Sequence, residues 1–339
     1  MTAARRFRSR NVLVIATLTA AVAAGGAASA FAAGPAVTGA AYTAAAAPAP
    51  APAVGGGEAA EIALPEERRG DARVAVDPIP VGDYPDSVAF TSDGRYAYVT
   101  NASAGTVSVI DTTTDKVVGD PVVVGGMPLW ISISGTTAYV TDNLAGTVVR
   151  IDVTTNQVIG EPVAVGKGAF AVAVPDSRAL LFGPADRGYV TNQADGTVSV
   201  IDLAAGKVTG EPVPVGREPG ALALSPDASR LYVANFADNT VSVIDTLSGK
   251  VTGEPVPVGK GPFGVTVSPD GKSVYVANSA EKDAAGRGTV TVIDAVSGKP
   301  AGEPLTVGAA PFQTVFRADG KRAYVTNTES HTVSEIDTV

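Results

Sequence analysis

The chain has 339 residues, including 38 glycines and 24 prolines, and its apolar residues are mainly alanine and valine, which favours short strands and turns over helices. It contains no cysteine and one histidine, His331, which excludes disulfides, thiolate nucleophiles and a multi-histidine zinc site. The formal net charge is −9, and an acidic surface repels phosphate backbones, so we expect no nucleic-acid partner.

Residues 1–32 have the features of a signal peptide. A positive region (Arg5, Arg6, Arg8 and Arg10) precedes the apolar stretch Val12–Ala24, and small residues follow at Ala28–Ala30. We expect cleavage near Ala30 or Ala32, although an uncleaved N-terminal anchor is the alternative. No later segment is apolar for long enough to span a membrane. The expected product is a secreted or cell-envelope monomer without a stable membrane span.

Residues 33–72 consist largely of alanine, proline and glycine, with scattered threonine and valine. This composition offers no periodic apolar face to bury, so the segment is predicted to be a disordered, partly extended linker. Ordered structure is expected to begin near Arg73.

From Arg73 onwards the chain is a sixfold repeat. Each copy contains a Val-Gly pair, a short loop, an apolar run, a turn and Tyr-Val-(Thr/Ala)-(Asn/Asp). The tyrosines are Tyr98, Tyr139, Tyr189, Tyr232, Tyr275 and Tyr324. A Gly-Thr-Val-Ser-Val-Ile-Asp-like stretch follows each of them and ends at Asp111, Asp152, Asp202, Asp245, Asp294 and Asp337. The undisturbed period, from Tyr189 to Tyr232 and from Tyr232 to Tyr275, is 43 residues.

These repeats resemble the Tyr-Val-Thr-Asn (YVTN) repeat family of β-propellers, which includes archaeal surface-layer proteins. The resemblance covers roughly Arg73 to Val339 and recurs in six registers. It implies a β-propeller, and because lactonase propellers are similar to this family it also raises the possibility of a hydrolase.

The residues themselves predict the same fold. In the first repeat, β-rich runs cover Val88–Phe90, Tyr96–Thr100, Thr106–Ile110 and Lys116–Val124, with turn-forming residues between them. Four strands in a period of about 40–45 residues correspond to one propeller blade. The sequence therefore predicts an all-β protein, a six-bladed β-propeller of four-stranded antiparallel blades spanning residues 73–339.

The two ends of the repeat region predict how the ring of blades closes. The last repeat stops after its third strand, whereas Arg73–Val81 resembles the fourth strand in Gly210–Val215. We expect Arg73–Val81 to pair beside Thr332–Ile336, so that an N-terminal strand completes the last blade and no raw edge remains. A seventh blade would need about 40 further residues, and Glu58–Val81 is too short.

Most repeated polar residues are predicted to be structural. The Asn or Asp after each Tyr-Val pair, and the Asp that ends each third strand, are expected to cap turns. Carboxylates spread at one per blade do not converge on an ion, so no metal site is expected. Gly259–Gly264 matches a dinucleotide-binding fingerprint but links two strands, so no cofactor is expected. His331 replaces a glycine of a turn.

Functional residues are expected where the copies differ. The loops before each first strand share one face, here called the mouth face, with the loops between second and third strands. The candidate ligand-binding residues are Tyr84, Asp86, Trp130, Phe170, Arg217, Glu218, Phe263, Phe312 and Gln313. Such a surface suits an extracellular protein, peptide or carbohydrate. The alternative is that the phenylalanines fill the central channel as core.

Two insertions distinguish individual blades. One lies within Ala280–Gly288 and is predicted to lie on the mouth face; the other, around Arg178–Arg187, is predicted on the opposite face.

The sequence contains no recognisable catalytic set, which favours a binding or scaffold module over an enzyme. The alternative is a lactonase-like hydrolase acting at the central channel, although the mouth loops contain no cluster of acid–base or metal-binding groups. A redox propeller with a quinone or haem is disfavoured by the absence of cysteine and of further histidines.

Overall fold

The computed structural model describes residues 78–175, 186–317 and 319–338, and the regular elements in these ranges are β-strands. The predicted signal peptide, the linker, residues 73–77 of the predicted closing strand and most of the Arg178–Arg187 insertion lie outside the described residues. Within the described ranges, no helix has the length and apolar character needed to cross a membrane.

The strands form six consecutive antiparallel sheets. Sheet 1 contains β1 (Pro85–Phe90), β2 (Tyr96–Asn101), β3 (Thr106–Asp111), β4 (Lys116–Val117) and β5 (Val122–Val123). Sheet 2 contains β6 (Pro128–Ser134), β7 (Thr137–Asp142), β8 (Thr147–Asp152), β9 (Gln157–Val158) and β10 (Val163–Ala164). Sheet 3 contains β11 (Ala169–Ala173), β12 (Arg187–Asn192), β13 (Thr197–Asp202), β14 (Lys207–Val208) and β15 (Val213–Pro214).

The remaining sheets repeat the pattern. Sheet 4 contains β16 (Pro219–Leu224), β17 (Arg230–Asn235), β18 (Thr240–Asp245), β19 (Lys250–Val251) and β20 (Val256–Pro257). Sheet 5 contains β21 (Pro262–Val267), β22 (Ser273–Asn278), β23 (Thr289–Asp294), β24 (Lys299–Pro300) and β25 (Leu305–Thr306). Sheet 6 contains β26 (Pro311–Phe316), β27 (Arg322–Asn327) and β28 (Thr332–Asp337).

The fourth strand of each repeat is interrupted. The run predicted over Lys116–Val124 forms two short strands, β4 and β5, which both pair with β3. Gly119 between them has a φ of 68°, which an extended strand does not allow, and Pro121 has no N–H to donate. The same split occurs in sheets 2 to 5, so the fourth strand position is occupied by two short strands.

The Asn of Tyr-Val-Thr-Asn has a different role from the predicted turn cap. The buried Asn101 side chain donates from Nδ2 to Thr106 (3.1 Å) and Ser108 (3.0 Å), across the β2–β3 hairpin. A Cβ atom added to Gly82 would lie 2.7 Å from the Asn101 amide carbon, so only glycine fits against it. This packing of a glycine against an asparagine side chain recurs along the chain. The glycine of Val-Gly and the asparagine that follows Tyr-Val-(Thr/Ala) are therefore required together.

The Asp that ends the third strand does stabilise the following turn, as predicted. The Oδ1 atom of Asp111 accepts the Thr113 hydroxyl at 2.5 Å and the Thr113 N–H at 2.8 Å, and Asp245 accepts the Ser248 N–H at 2.7 Å. These hydrogen bonds favour the carboxylate form and lower the pKa of both groups. His331 also fulfils its prediction, since it has a φ of 56° where Gly105 of sheet 1 has 66°.

Consecutive sheets pack face to face and are joined by hydrogen bonds. The Tyr98 hydroxyl of sheet 1 donates to the Val153 carbonyl (3.1 Å) and contacts Asn156 Oδ1 (2.5 Å), both after the third strand of sheet 2. The Thr100 hydroxyl donates to the carbonyl of Leu129 on β6 at 2.8 Å. The innermost strands β1, β6, β11, β16, β21 and β26 each pack against the next.

The two end sheets each present one open face. Val88 on β1 is 54% exposed, whereas the equivalent Ile131 of sheet 2 is 3% exposed. On sheet 6, Val333 is 60% exposed, whereas its equivalents in the other sheets are fully buried. Among the described residues, β26 and β1 do not pack as consecutive innermost strands do, and β28 pairs only with β27. Residues 78–81 form no strand, so the predicted closure is not shown.

Candidate functional site

The loops of the predicted mouth face lie beside the turns between second and third strands. The Arg217 N–H donates to Asp238 (2.7 Å), the Lys167 N–H to Asp195 (2.7 Å) and the Lys260 N–H to Glu281. Each acceptor belongs to the turn that follows the second strand of the same sheet. The two classes of loop therefore form one surface.

The innermost strands begin with one variable position, directly after the residue that opens the strand. The residues at this position are Asp86, Leu129, Phe170, Gly220, Phe263 and Phe312 in sheets 1 to 6. The Phe170 and Phe263 aromatic rings meet edge to face at 5.5 Å although they belong to sheets 3 and 5. Contact between non-consecutive sheets places this cluster where the sheets converge.

Two of the predicted ligand-binding residues belong to the core. Phe170 is 5% exposed and Phe263 is 7% exposed, and both are in the same buried cluster as Leu129 and Phe236. Gly220, the equivalent residue of sheet 4, adds no side chain to this cluster, and a Cβ there would lie at an ordinary van der Waals distance, 3.4 Å, from the Phe263 carbonyl oxygen. Their burial corresponds to the alternative in which phenylalanines fill the centre.

Trp130 and Phe312 border this filled centre and are half-buried. Trp130 packs against the core of sheets 2 and 3 and also against the core that contains Ala221 of sheet 4. Its ring lies 6.5 Å from Phe170, and Phe312 stacks on Phe263 at 4.4 Å. Both side chains keep part of their surface exposed at the edge of the buried cluster.

Asp86 occupies the same position in sheet 1 and is the single charged residue among the six equivalents. Its side chain is accessible to solvent, yet protein surrounds it closely enough for desolvation to raise its pKa from 3.8 to about 6.

Tyr84 and Glu218 have backbone conformations that ordinary side chains avoid. Their φ angles are 56° and 52°, and the equivalent loop positions in sheets 3, 5 and 6 are Gly168, Gly261 and Ala310, at 69°, 59° and 49°. In each of these loops the carbonyl of this residue accepts an N–H from the turn after the second strand, as Tyr84 does from Ala102 at 2.8 Å. A strained backbone at a solvent-facing residue is a reason to suspect function.

The remaining predicted residues lie at the rim. Arg217 is exposed and forms an ion pair with Asp238 at 2.6 Å, which contributes about 0–1 kcal/mol at such a surface position. Burial raises the pKa of Glu218 above its ordinary value. Gln313 is exposed beside Phe312. The structure thus separates a buried centre from an accessible surface formed by Tyr84, Asp86, Trp130, Arg217, Glu218, Phe312 and Gln313.

The insertion within Ala280–Gly288 contacts the same face. The Ala280 N–H donates to the Lys260 carbonyl, and Lys282 forms an ion pair with Glu329 of sheet 6 at 2.7 Å. Arg287 and Asp283 hold the insertion itself together at 2.7 Å. The insertion therefore joins sheets 5 and 6 at the mouth face.

Two residues of the central cluster, Leu129 and Phe236, were not predicted as part of the mouth face or its centre. Leu129 could have been found from its position, since it is equivalent to Phe170 and Phe263 in the repeat. Phe236 follows the second strand of sheet 4 and packs edge to face against Phe263, with ring centroids 6.5 Å apart. No repeat position predicted that contact.

Solved structures resemble this architecture. Hydrazine synthase of Kuenenia stuttgartiensis, a β-propeller protein, superposes with a TM-score of 0.65 at 22% identity, covering 78% of this chain and 80% of that chain. The fold is a β-propeller. A functionally unknown protein from Desulfotomaculum acetoxidans superposes with a TM-score of 0.63 at 17% identity, covering 76% of this chain and 84% of the other. No protein-family model and no curated protein matches the sequence.

At these identities the likeness shows the propeller fold alone, so chemistry has to be argued from the side chains. Among the described residues of the propeller, no three His, Cys, Asp or Glu side chains are grouped so that they could hold a metal ion. What the mouth face does combine is accessible aromatic surface, one desolvated carboxylate and a few rim charges.

Proposed function

We propose that this protein is a secreted or cell-surface propeller that binds an extracellular ligand through its mouth face and acts as a binding or scaffold module rather than an enzyme. The observation that carries the proposal is the pair of strained residues, Tyr84 and Glu218, beside accessible aromatic groups. Glycine occupies this position in sheets 3 and 5 and alanine occupies it in sheet 6, so the loop itself requires no large side chain, and we infer that the tyrosine and the glutamate serve a role outside the fold.

The buried centre supports the same role. Phe170 and Phe263 close the middle of the propeller, so a ligand has the surface above them, bordered by Trp130 and Phe312, as its base. Aromatic surface with a few polar groups at the rim suits a peptide, a carbohydrate or a segment of a protein.

We further propose that the six sheets close into a ring, with the segment Arg73–Val81 of the same chain docked on β28. The repeat register supports this proposal, since Arg73–Gly82 aligns without a gap with Lys250–Gly259. In sheet 4, that aligned segment pairs Pro257 with Thr240 and Val256 with Val241. By the same register Pro80 faces Thr332, and Ile79 faces Val333.

Closure also gives partners to the open faces of sheets 1 and 6. Tyr324 is the sheet 6 equivalent of Tyr98, so its hydroxyl would reach the Thr112 carbonyl and Asp115 of sheet 1. Val333 and Val88 would become buried against each other's sheets, as their equivalents are. Burial of this exposed apolar surface is the driving force for closure.

Binding is tested by presenting the full-length protein to the cell-wall and secreted fractions of the producing organism and recovering what it retains. We expect a component that wild type retains and that Trp130→Ala loses. Val123→Ala, at an exposed valine on the outer strand β5, is the matched control and retains it. Retention that is equal for wild type and Trp130→Ala, or no retained component, contradicts binding at the mouth face.

A further inference from the structure

One cleft on the mouth face lies between sheets 2 and 3. It has a volume of about 350 Å³ and is lined by the turn after β7, the end of β10 and the loop before β11. Sites that hold small ligands have volumes of about 300–1,000 Å³, so this cleft suits a ligand at the small end of that range. Its lining residues are different from those of the accessible surface that surrounds the buried centre, so the cleft is a separate candidate site.

The apolar lining of the cleft consists of residues that differ from their equivalents in the other sheets. Leu144 is 63% exposed, and the equivalent residue is serine, alanine or glutamate in the other five copies. Ala164 on β10 occupies the position where the other split strands have valine, proline or threonine. An exposed leucine and a small neighbour, with Val165 beside them, therefore give this cleft an aliphatic wall.

The cleft also contains a backbone donor, the N–H of Gly168, which has no acceptor among the described residues. The equivalent N–H of Gly261, between sheets 4 and 5, donates to Asn239 Oδ1 at 2.8 Å. Asn239 and its sheet 2 equivalent, Gly146, share a backbone conformation, with φ angles of 57° and 67°. Because Gly146 has no side chain, it supplies no oxygen to Gly168. The Asn239 amide oxygen thus marks where an oxygen of a ligand would lie in the cleft.

Lys167 contributes a cation to the same cleft. Its side chain is exposed and forms no ion pair among the described residues, whereas its sheet 4 equivalent, Arg217, is paired with Asp238 at 2.6 Å. Asp195 also lines the cleft, and its Oδ2 atom accepts the Lys167 N–H at 2.7 Å. A backbone N–H and an unpaired ammonium together favour an anionic oxygen. The negative charge of Asp195 favours a singly charged carboxylate over a doubly charged phosphate.

We propose that the cleft between sheets 2 and 3 binds a small aliphatic carboxylate. The Gly168 N–H and the Lys167 ammonium hold the carboxylate oxygens, and Leu144 and Val165 contact the aliphatic body. This site goes beyond the proposed function, because it lies outside the surface that carries that proposal. A free branched-chain acid and the C-terminal residue of an aliphatic peptide share this chemistry.

Isothermal titration calorimetry of the full-length protein tests the site with three probes. These are 4-methylpentanoate as a free acid, N-acetylleucine as a peptide C-terminus and the neutral 4-methylpentanamide. We expect saturable binding of at least one carboxylate, which also identifies the source, and none of the amide at equal concentration. Lys167→Gln should weaken carboxylate binding by about tenfold or more, because a charge-assisted hydrogen bond is lost. Ala164→Val should weaken it too, because valine, the residue at this position of β5, takes up space in the cleft.

Lys260→Gln is the matched control. Lys260 is the sheet 5 equivalent of Lys167, but the neighbouring Gly261 N–H already has Asn239 as its acceptor. We expect Lys260→Gln to bind the carboxylates as wild type does, and urea unfolding must show that every variant is folded.

Three results would overturn the inference: equal carboxylate binding by wild type and either Lys167→Gln or Ala164→Val, equal binding of the amide, or no saturable binding of either carboxylate. The outcome is separable from the proposed function. If a cell-wall component is retained by wild type and lost by Trp130→Ala while neither carboxylate binds, the role of the mouth face stands and the carboxylate site is wrong.

Discussion

Replacement of Gly264 by alanine tests how closely sheets 5 and 6 pack. Gly264 lies on the innermost strand β21, with no positive φ that would itself require glycine. A Cβ atom added there would lie 2.1 Å from the Phe312 carbonyl oxygen and 3.1 Å from the Gln313 Cα. Both of these are backbone atoms, so rotation of a side chain cannot relieve the clash.

The free-energy cost of Gly264→Ala follows from the 2.1 Å distance between the added Cβ and the Phe312 carbonyl oxygen. Ordinary carbon–oxygen contacts are about 3.3 Å long, so β26 has to move away from β21 by roughly 1 Å. Overpacking of this kind costs about 1–3 kcal/mol of unfolding free energy. The movement would also separate the stacked Phe263 and Phe312 rings, so we expect a value in the upper half of that range.

Gly220→Ala is the matched control. Gly220 lies on the innermost strand β16, also without a positive φ, but its added Cβ has its nearest contact at 3.4 Å, an ordinary van der Waals distance. We expect Gly220→Ala to be neutral or to stabilise by up to about 1 kcal/mol through the unfolded chain. Urea unfolding of both variants, followed by Trp130 fluorescence, measures the difference. Equal effects of the two substitutions would refute the close approach of sheets 5 and 6.

Three further outcomes are expected. The raised pKa of Asp86 means that the folded state keeps a proton that the unfolded chain releases, so the unfolding free energy falls as pH rises from 3.8 to about 6, and the difference between wild type and Asp86→Asn should change across that window. Tyr98→Phe should lose about 0.5–1.5 kcal/mol of unfolding free energy, because the single hydroxyl proton that joins sheets 1 and 2 at Val153 and Asn156 is removed, as measured by urea unfolding. Tyr84→Gly and His331→Gly should each raise the unfolding free energy by up to about 1 kcal/mol through relief of a positive φ, but only Tyr84→Gly should weaken retention of a ligand.

The repeated segments made the strands predictable. Alternation of apolar residues and turn-forming residues recurs six times, so Tyr96–Thr100 and Thr106–Ile110 were predicted to within one residue of β2 and β3. The split of the fourth strand was missed because its valines suit a strand, and the prediction gave too little importance to Gly119 and Pro121. Both residues were visible in the sequence.

The role of Asn101 and the burial of the central phenylalanines could not be derived in the same way. The Asn101 side chain bonds across a hairpin to Thr106 and Ser108, which a turn-based rule does not consider. The contact of Phe170 with Phe263 joins sheets that are neither consecutive nor adjacent, so it depends on how the sheets converge. A periodic pattern specifies which residues face inward but not which of them meet at the centre.

Closure of the ring by the chain's own N-terminal strand is tested most directly by a disulfide, because the sequence has no cysteine of its own. In the paired variant Pro80→Cys/Thr332→Cys, the predicted register brings the two Cα atoms within the range of about 4.4–6.8 Å that a disulfide requires. The control pair, Pro257→Cys/Thr240→Cys, occupies the equivalent register between β20 and β18. Both pairs are expected to oxidise within a single chain, giving a species of monomer mass that migrates differently on a non-reducing gel. Oxidation of the control pair alone, or disulfides between chains in the Pro80/Thr332 pair, would contradict closure of the ring.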